Sequence, residues 1–355
     1  MSLVNTNYLK KLLSIFPNDY CFAFAYGSAI YRQSVDKIVQ ASTSSSSSSG
    51  NSGNNNDQPS SSQKMIDLVL VVNDSSNFHR ENLKLNPSHY SFLRLLGSKM
   101  ITHVQDNFAA KVYYNSLITI VDEKNEKRLV KYGVINTQSL IDDLLDWNHL
   151  YIAGRLHKPV KIIHPAEGEL AKALSINHQN AFYASLLLLS ETFSEEQLFT
   201  TITNMSYDGD FRMIIGEDRN KVTKIVKPNL ERFRHIYQPY IGSSIEKGLL
   251  SFNQNQRMYF QDLSSRVIFH NLSLLPKRVQ RNLYLNFETR GRLRDLDDVL
   301  LSIAQSYQYS DYVRNAIKQI VWSSSISQSF KGLLTSGFLK SVRYASRKIL
   351  KMTQS

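Results

Sequence analysis

Two short apolar runs, separated by a tract that cannot fold, constrain this chain more than any other feature. Residues 20–26 read YCFAFAY and residues 65–72 read MIDLVLVV. Runs of this length, rich in aromatic and branched aliphatic residues, predict strands buried on both faces. Between them, residues 41–63 hold eleven serines, with Asn and Gly filling half of the rest. Such a segment buries too little apolar surface to offset its chain entropy, so it predicts a disordered loop inserted into one domain. The entropy of closing a loop grows slowly with length, so the fold tolerates it.

The same two runs carry the strongest chemical signal. The first ends in Gly27-Ser28, where glycine lets the backbone approach a phosphate and the serine hydroxyl and nearby amides donate to it. The second contains Asp67, a carboxylate inside an apolar strand. Burying such a charge costs several kcal/mol unless it is paired or bound to a cation. A Gly-Ser turn followed by a strand-borne carboxylate is the core of a metal-dependent nucleotidyltransferase site: the carboxylate holds Mg2+ and the turn holds a triphosphate. Ser28 and Asp67 are 39 positions apart, and without the 23-residue tract 16 remain. A second carboxylate, expected two residues on and facing the same way, is absent: position 69 is valine. The plain structural alternative for Asp67 is a buried, salt-bridged acid.

Further strands are predicted at 111–120, 128–134 and near 160–163, with helices at about 88–97 and 137–147. A helix before Pro17 is the preferred reading of the first residues over a weak mitochondrial presequence. Residues 1–168 thus form a mixed α/β, nucleotidyltransferase-like domain. Cationic candidates for the triphosphate are Lys131, Arg155, Lys158 and Lys161, the last three following an aromatic stretch.

Residues 169–311 read as a second, mostly helical domain. Ser194 and Gln197 have capping-box spacing, with Phe193 and Leu198 placed for a hydrophobic staple. Acid, base and glycine interleave from Gly209 to Asn229. There Asp210 and Glu217 are candidates to complete the metal site, against a charged interhelical loop as the alternative. Residues 312–355 contain eight Lys or Arg and no acid. Leu334, Phe338, Val342, Ala345 and Ile349 make one helical stripe, and Lys340, Arg343, Arg347 and Lys351 line the other side. That pattern predicts a basic amphipathic helix lying on anionic lipid, or one docked on the protein with a solvated basic face.

The net charge of +12 points to an anionic partner. Cys21, the only cysteine, excludes an internal disulfide and a thiolate cluster. Walker A, Rossmann and GxSxG motifs are absent, as is a paired-histidine metal signature.

Taken in order, FAYGSAIYRQ, MIDLVLVV, NPSHYSFLRLLG, VYYNSLI, LVKYGVI, DLLDWNHLYIAGRLHKPVKII, SYDGDFRMIIGEDRNKVTKIVKPN and SSSISQSFKGLLTSGFLKSV resemble the mitochondrial translocator assembly-and-maintenance family. The resemblance covers nearly the whole chain except the Ser/Asn tract and about residues 240–290. It implies a Mg2+-dependent phosphatidate cytidylyltransferase that uses CTP and phosphatidic acid to make CDP-diacylglycerol and pyrophosphate for cardiolipin synthesis. It also implies a peripheral protein on the matrix side of the mitochondrial inner membrane, held to anionic lipids. The implied fold is a nucleotidyltransferase domain, a winged-helix-like domain and an amphipathic C-terminal segment. Two other readings are a degenerate membrane-bound scaffold for protein import and a nucleotidyltransferase acting on RNA. No base-stacking platform stands out, so nucleic acid is not the expected partner.

Overall fold

The computed structural model describes residues 6–31, 65–121, 127–215, 220–287 and 295–336. The Ser/Asn tract, Glu217, Phe338, Lys340, Arg343, Arg347 and Lys351 lie outside the described residues.

The first region begins with α1 (Thr6–Leu13), β1 (Phe22–Tyr26), β2 (Ile66–Val72), α2 (Ser75–Leu85) and α3 (Gly97–Asn107). It continues through β3 (Val112–Val121), β4 (Lys127–Asn136), α4 (Thr137–Asp146), α5 (Ile152–Leu156) and β5 (Lys161–His164). The five strands form one sheet in the order β3-β4-β2-β1-β5. The β2–β4 pair is parallel and the other neighbours are antiparallel, so the sheet is mixed. Both apolar runs are strands, as their composition predicts, and β1 is buried throughout. Alternate residues face two cores: Phe22, Phe24, Tyr26, Val69 and Val71 join the larger one, while Ala23, Ala25, Leu68 and Leu70 pack with Leu9 and Leu12 of α1. Between α2 and α3 the expected helix at 88–97 is instead two 3-10 turns, Pro87–His89 and Phe92–Leu96. Pro87 opens the first turn, and Gly97, at φ 78°, separates the second from α3.

A buried polar network locks α2 to α3. His79 Nε2 lies 2.8 Å from Gln105 Oε1, and its Nδ1 lies 2.9 Å from the Tyr90 hydroxyl. The Gln105 amide donates to Ser75 Oγ, which leaves its carbonyl as acceptor and fixes His79 as the neutral Nε2–H tautomer. Burial pushes the His79 pKa from 6.5 down to about 4. The unfolded chain therefore takes up this proton first, and stability falls as pH drops from about 6.5 to about 4. The total from this group is about 3 kcal/mol. His79→Gln should be less stable at neutral pH yet lose less stability over that interval, which urea titrations at stepped pH will show.

The second region comprises α6 (Gly168–Leu188), β6 (Thr192–Ser194), α7 (Glu195–Asn204), α8 (Arg212–Ile215), α9 (Lys221–Val226) and α10 (Leu230–Glu246). It ends with β7 (Leu250–Asn253), β8 (Met258–Gln261), α11 (Ser265–Ser273), α12 (Lys277–Phe287) and α13 (Leu296–Ala304). The capping box is present: Ser194 Oγ accepts from the Gln197 amide, and Gln197 Oε1 accepts from the Ser194 amide. Phe193 and Leu198 beside it are fully buried. A small antiparallel sheet, β6-β8-β7, accompanies the helices.

The last described element, α14 (Tyr309–Ser336), is docked through most of its length. Val313, Ala316, Ile317, Ile320 and Val321 are buried in the larger core. Further along, Gln328 accepts from the Ala110 amide and donates to the Val112 carbonyl, both at 3.2 Å. Lys331 Nζ donates to the carbonyls of Gln105 and Phe108, both at 2.9 Å, at the C-terminal end of α3. Burial pulls the Lys331 pKa down to about 7. The basic run starting at residue 312 therefore opens as core helix, with Lys331 committed to the end of α3.

Candidate active site

The site forms where β1 ends. Gly27 has φ 89°, and its carbonyl accepts from the amides of Ile30 and Tyr31, so residues 27–31 make one helical turn with Ser28 and Ala29 at its head. Tyr26 is the cross-strand partner of Asp67, and Asp67 is the partner of Lys131 on β4. The carboxylate folds toward the turn: a Cβ on Gly27 would stand 3.0 Å from Asp67 Oδ2. Glycine is required there both for its backbone conformation and for the close approach.

Asp67 keeps partial contact with solvent but is enclosed by protein. Burial raises its pKa, while Lys131, Arg155 and Lys221 pull it back down. Lys131 is held 4.4 Å over the ring of Tyr114, and Arg155 is held 4.5 Å over the ring of Tyr26. The two tyrosine hydroxyls meet at 3.5 Å. Tyr114 fits because its cross-strand neighbour is Gly133, where a Cβ would meet Tyr114 Cε1 at 2.6 Å. Burial opposes the Arg155 charge, but Tyr207, Tyr26 and Asp67 more than restore it, and its pKa stays above the usual arginine value.

Arg155 owes its place to Asp143, a buried carboxylate on α4. It accepts from the amides of His149 (2.7 Å), Leu150 (2.9 Å) and Ala153 (3.2 Å), which shapes the entry to α5. Asn177 of α6 fastens the other side: its amide donates to the Ala153 carbonyl and its oxygen accepts from Trp147 Nε1. The hydroxyl of Tyr237 on α10 donates to the His157 carbonyl. The arginine-bearing helix is thus built against the second region, which also contributes to the site. Tyr207 carries Lys158 at 4.8 Å and Lys221 at 5.3 Å over one ring.

Gly27, Ser28, Asp67, Lys131 and Arg155 stand together around the end of β1. Lys158 is only 3% exposed and donates to Ser206 Oγ. Burial, Arg155 and Lys221 hold its pKa well below the lysine range. Lys161 sits on β5 opposite Ala25. Asp210 is also buried, and both of its oxygens accept from Arg212, at 2.6 to 3.1 Å. It is therefore committed to an ion pair. Val69 is fully buried in the core, so no polar group stands where a second carboxylate would. Among the described residues no cluster of three or more metal-ligating side chains occurs. Sequence reasoning missed Tyr26, Tyr114 and Tyr207 as the platforms of the site, and Arg212 as the partner of Asp210. A tyrosine shared by distant cations leaves no spacing signature.

Among the described residues, Lys131, Arg155 and Lys221 surround Asp67. That excess of positive charge, beside aromatic rings and a Gly-Ser turn, favours a polyanion. A family model described as mitochondrial phosphatidate cytidylyltransferase matches residues 9–351. Relatives of the same name include one from Xenopus laevis, 42% identical over 347 residues, which span 98% of this chain and 94% of that protein. One from Mus musculus is 44% identical over 345 residues (97% and 94%), and one from Caenorhabditis elegans is 38% identical over 350 residues (98% of each). The chain belongs to the mitochondrial phosphatidate cytidylyltransferase family.

Proposed function

We infer that this chain transfers CMP from CTP to phosphatidic acid. An oxygen of the phosphatidate phosphate attacks the α-phosphorus of CTP, the bond to the β-phosphate breaks, and CDP-diacylglycerol and pyrophosphate leave. The observation that carries this reading is Asp67 against the Gly27 turn, ringed by Lys131, Arg155 and Lys221, in a chain matched along nearly its whole length by that family. A phosphate nucleophile is already anionic near neutral pH, so no strong general base is required. Rate then comes from position and charge neutralisation. The Gly27-Ser28 turn would receive the triphosphate. Lys131 and Arg155, held in place by their tyrosines, would neutralise charge on the α-phosphate and the departing pyrophosphate.

The residues fit a Mg2+ ion carried in by the nucleotide. Asp67 offers one carboxylate whose charged form a cation would favour, and Mg2+ fills its remaining positions with phosphate oxygens and water. Bound there, the ion would withdraw charge from the phosphate oxygens. The sheet order and the helices with their small β-sheet support reading the two regions as nucleotidyltransferase-like and winged-helix-like. We further propose a peripheral location on the matrix side of the inner membrane, where the product would feed cardiolipin synthesis. Support comes from the lipid substrate and from the acid-free residues 337–355 with their five cations.

Purified chain given CTP, Mg2+ and phosphatidate should form CDP-diacylglycerol, read by lipid mass spectrometry, and should form none when EDTA replaces Mg2+. No product with Mg2+ present would refute the assignment. Ending the chain after Ser336 should reduce its flotation with anionic vesicles while its core still melts cooperatively. The cut belongs there, since a cut at 331 would remove Lys331 from the end of α3.

A further inference from the structure

Beyond the tail, the folded body carries a second surface suited to lipid. Phe92 is 56% exposed, Leu95 81%, Leu96 56% and Met100 40%, all on the second 3-10 turn and the first turn of α3. From Asn82 to Gln105 the chain has no acid, and Arg94, Lys99 and His103 stand exposed among the apolar residues. Large side chains placed this densely in water cost solvation, and cations interleaved with them are the pattern that a lipid interface rewards.

Position adds a second argument. At the far end of α3, Phe108 is 52% exposed, beside the site where Lys331 seats the end of α14, and Phe330 and Leu333 flank that lysine at 67% and 47% exposure. The chain beyond Ser336 leaves from this point, and its composition, five cations and no acid, matches the surface it leaves. The other end of the surface meets the central sheet: His89, in the turn just before it, lies 3.1 Å from the hydroxyl of Tyr132, on the sheet face opposite Lys131.

We propose that the exposed face of residues 92–108, continued by Phe330 and Leu333, seats the folded body on an anionic bilayer independently of the chain beyond Ser336. The proposal rests on the lipid-substrate reading above. Seated there, the leucines enter the interface and Arg94 and Lys99 meet lipid phosphates.

The test places an environment-sensitive fluorophore on Leu95→Cys in a Cys21→Ser background, in the full chain and in the chain ended after Ser336. Adding phosphatidylcholine vesicles doped with phosphatidate should shift emission to the blue in both, with quenching by a lipid-borne quencher. In the shortened chain, Leu95→Glu/Leu96→Glu should weaken vesicle binding by about tenfold or more. Turnover of a short-chain, monomeric phosphatidate should be unchanged. A probe that stays in water while the protein floats overturns the proposal. So does a probe already in an apolar setting without vesicles, whether freed by removing residues 337–355 or by dilution of a self-associated form. Failure of the unsubstituted chain to use short-chain phosphatidate would instead count against the catalytic reading, and the probe result stands apart from it.

Discussion

Asparagine at position 67 should lower kcat for CDP-diacylglycerol formation by at least about a thousandfold while leaving CTP binding intact or tighter. The two effects would diverge because, in the proposed reaction, Asp67 opposes the nucleotide in the ground state and serves it in the transition state. With the carboxylate gone, Lys131, Arg155 and Lys221 lose a nearby negative charge and attract the triphosphate more strongly. The same change removes the carboxylate that, among the described residues, lies against the Gly27 turn, where it would hold a divalent ion. Calorimetry of CTP binding without metal, set beside steady-state rates with Mg2+, separates the two. Equal loss of both would mean that Asp67 only holds the fold. In the unsubstituted chain, burial raises the Asp67 pKa, and the reactive form is the carboxylate. Activity should therefore fall with decreasing pH from above the usual carboxylate range.

Alanine at position 209 should cost about 3 kcal/mol or more of folding stability. Gly209 has φ 91°, and its added Cβ would stand 2.6 Å from Lys318 Cγ, 2.7 Å from the Lys318 carbonyl oxygen and 3.1 Å from its Cα. A side-chain end could swing away, but the backbone in the middle of α14 cannot. Gly248→Ala provides the control: φ is 71° there, and nothing lies within 4 Å of the new atom, so only backbone strain is added. The difference between the two urea midpoints isolates the cost of prising the 205–210 turn from α14. The turn also carries Tyr207 and Asp210, so Gly209→Ala should lower activity even where the protein remains folded.

The parts of the site that lie on strands were legible in the sequence. Asp67 stands out because a carboxylate in IDLVLVV needs a reason, and Gly27 because a glycine closes an apolar strand. Val69 was equally readable, and it is fully buried in the core. What the sequence hides are pairings between distant elements. Nothing local marks Tyr114 as the seat of Lys131, or Tyr207 as the ring that carries both Lys158 and Lys221. Helices α2 and α3 went unread because their stabilising contacts are polar: His79, Asn82 and Gln105 face inward where an apolar stripe would be sought. The start of the basic tail misled for a related reason. A lysine in an acid-free run looks solvated, yet Lys331 ends at the carbonyl of Phe108, 223 positions earlier.

That last contact bears on the order in which the molecule can assemble. Strand β3 and the turn before it are secured by Gln328 and Lys331, so the first region is finished by nearly the last helix of the chain. A polypeptide made or threaded from its amino end must hold that sheet edge unsealed until more than two hundred further residues have arrived. Long-range closure of this kind slows folding and prolongs the exposure of a partly built strand. The unfinished chain would be a natural client for chaperones, and shortening α14 as far as Gln328 would unseal the sheet edge of the first region as well as remove Phe330 and Leu333.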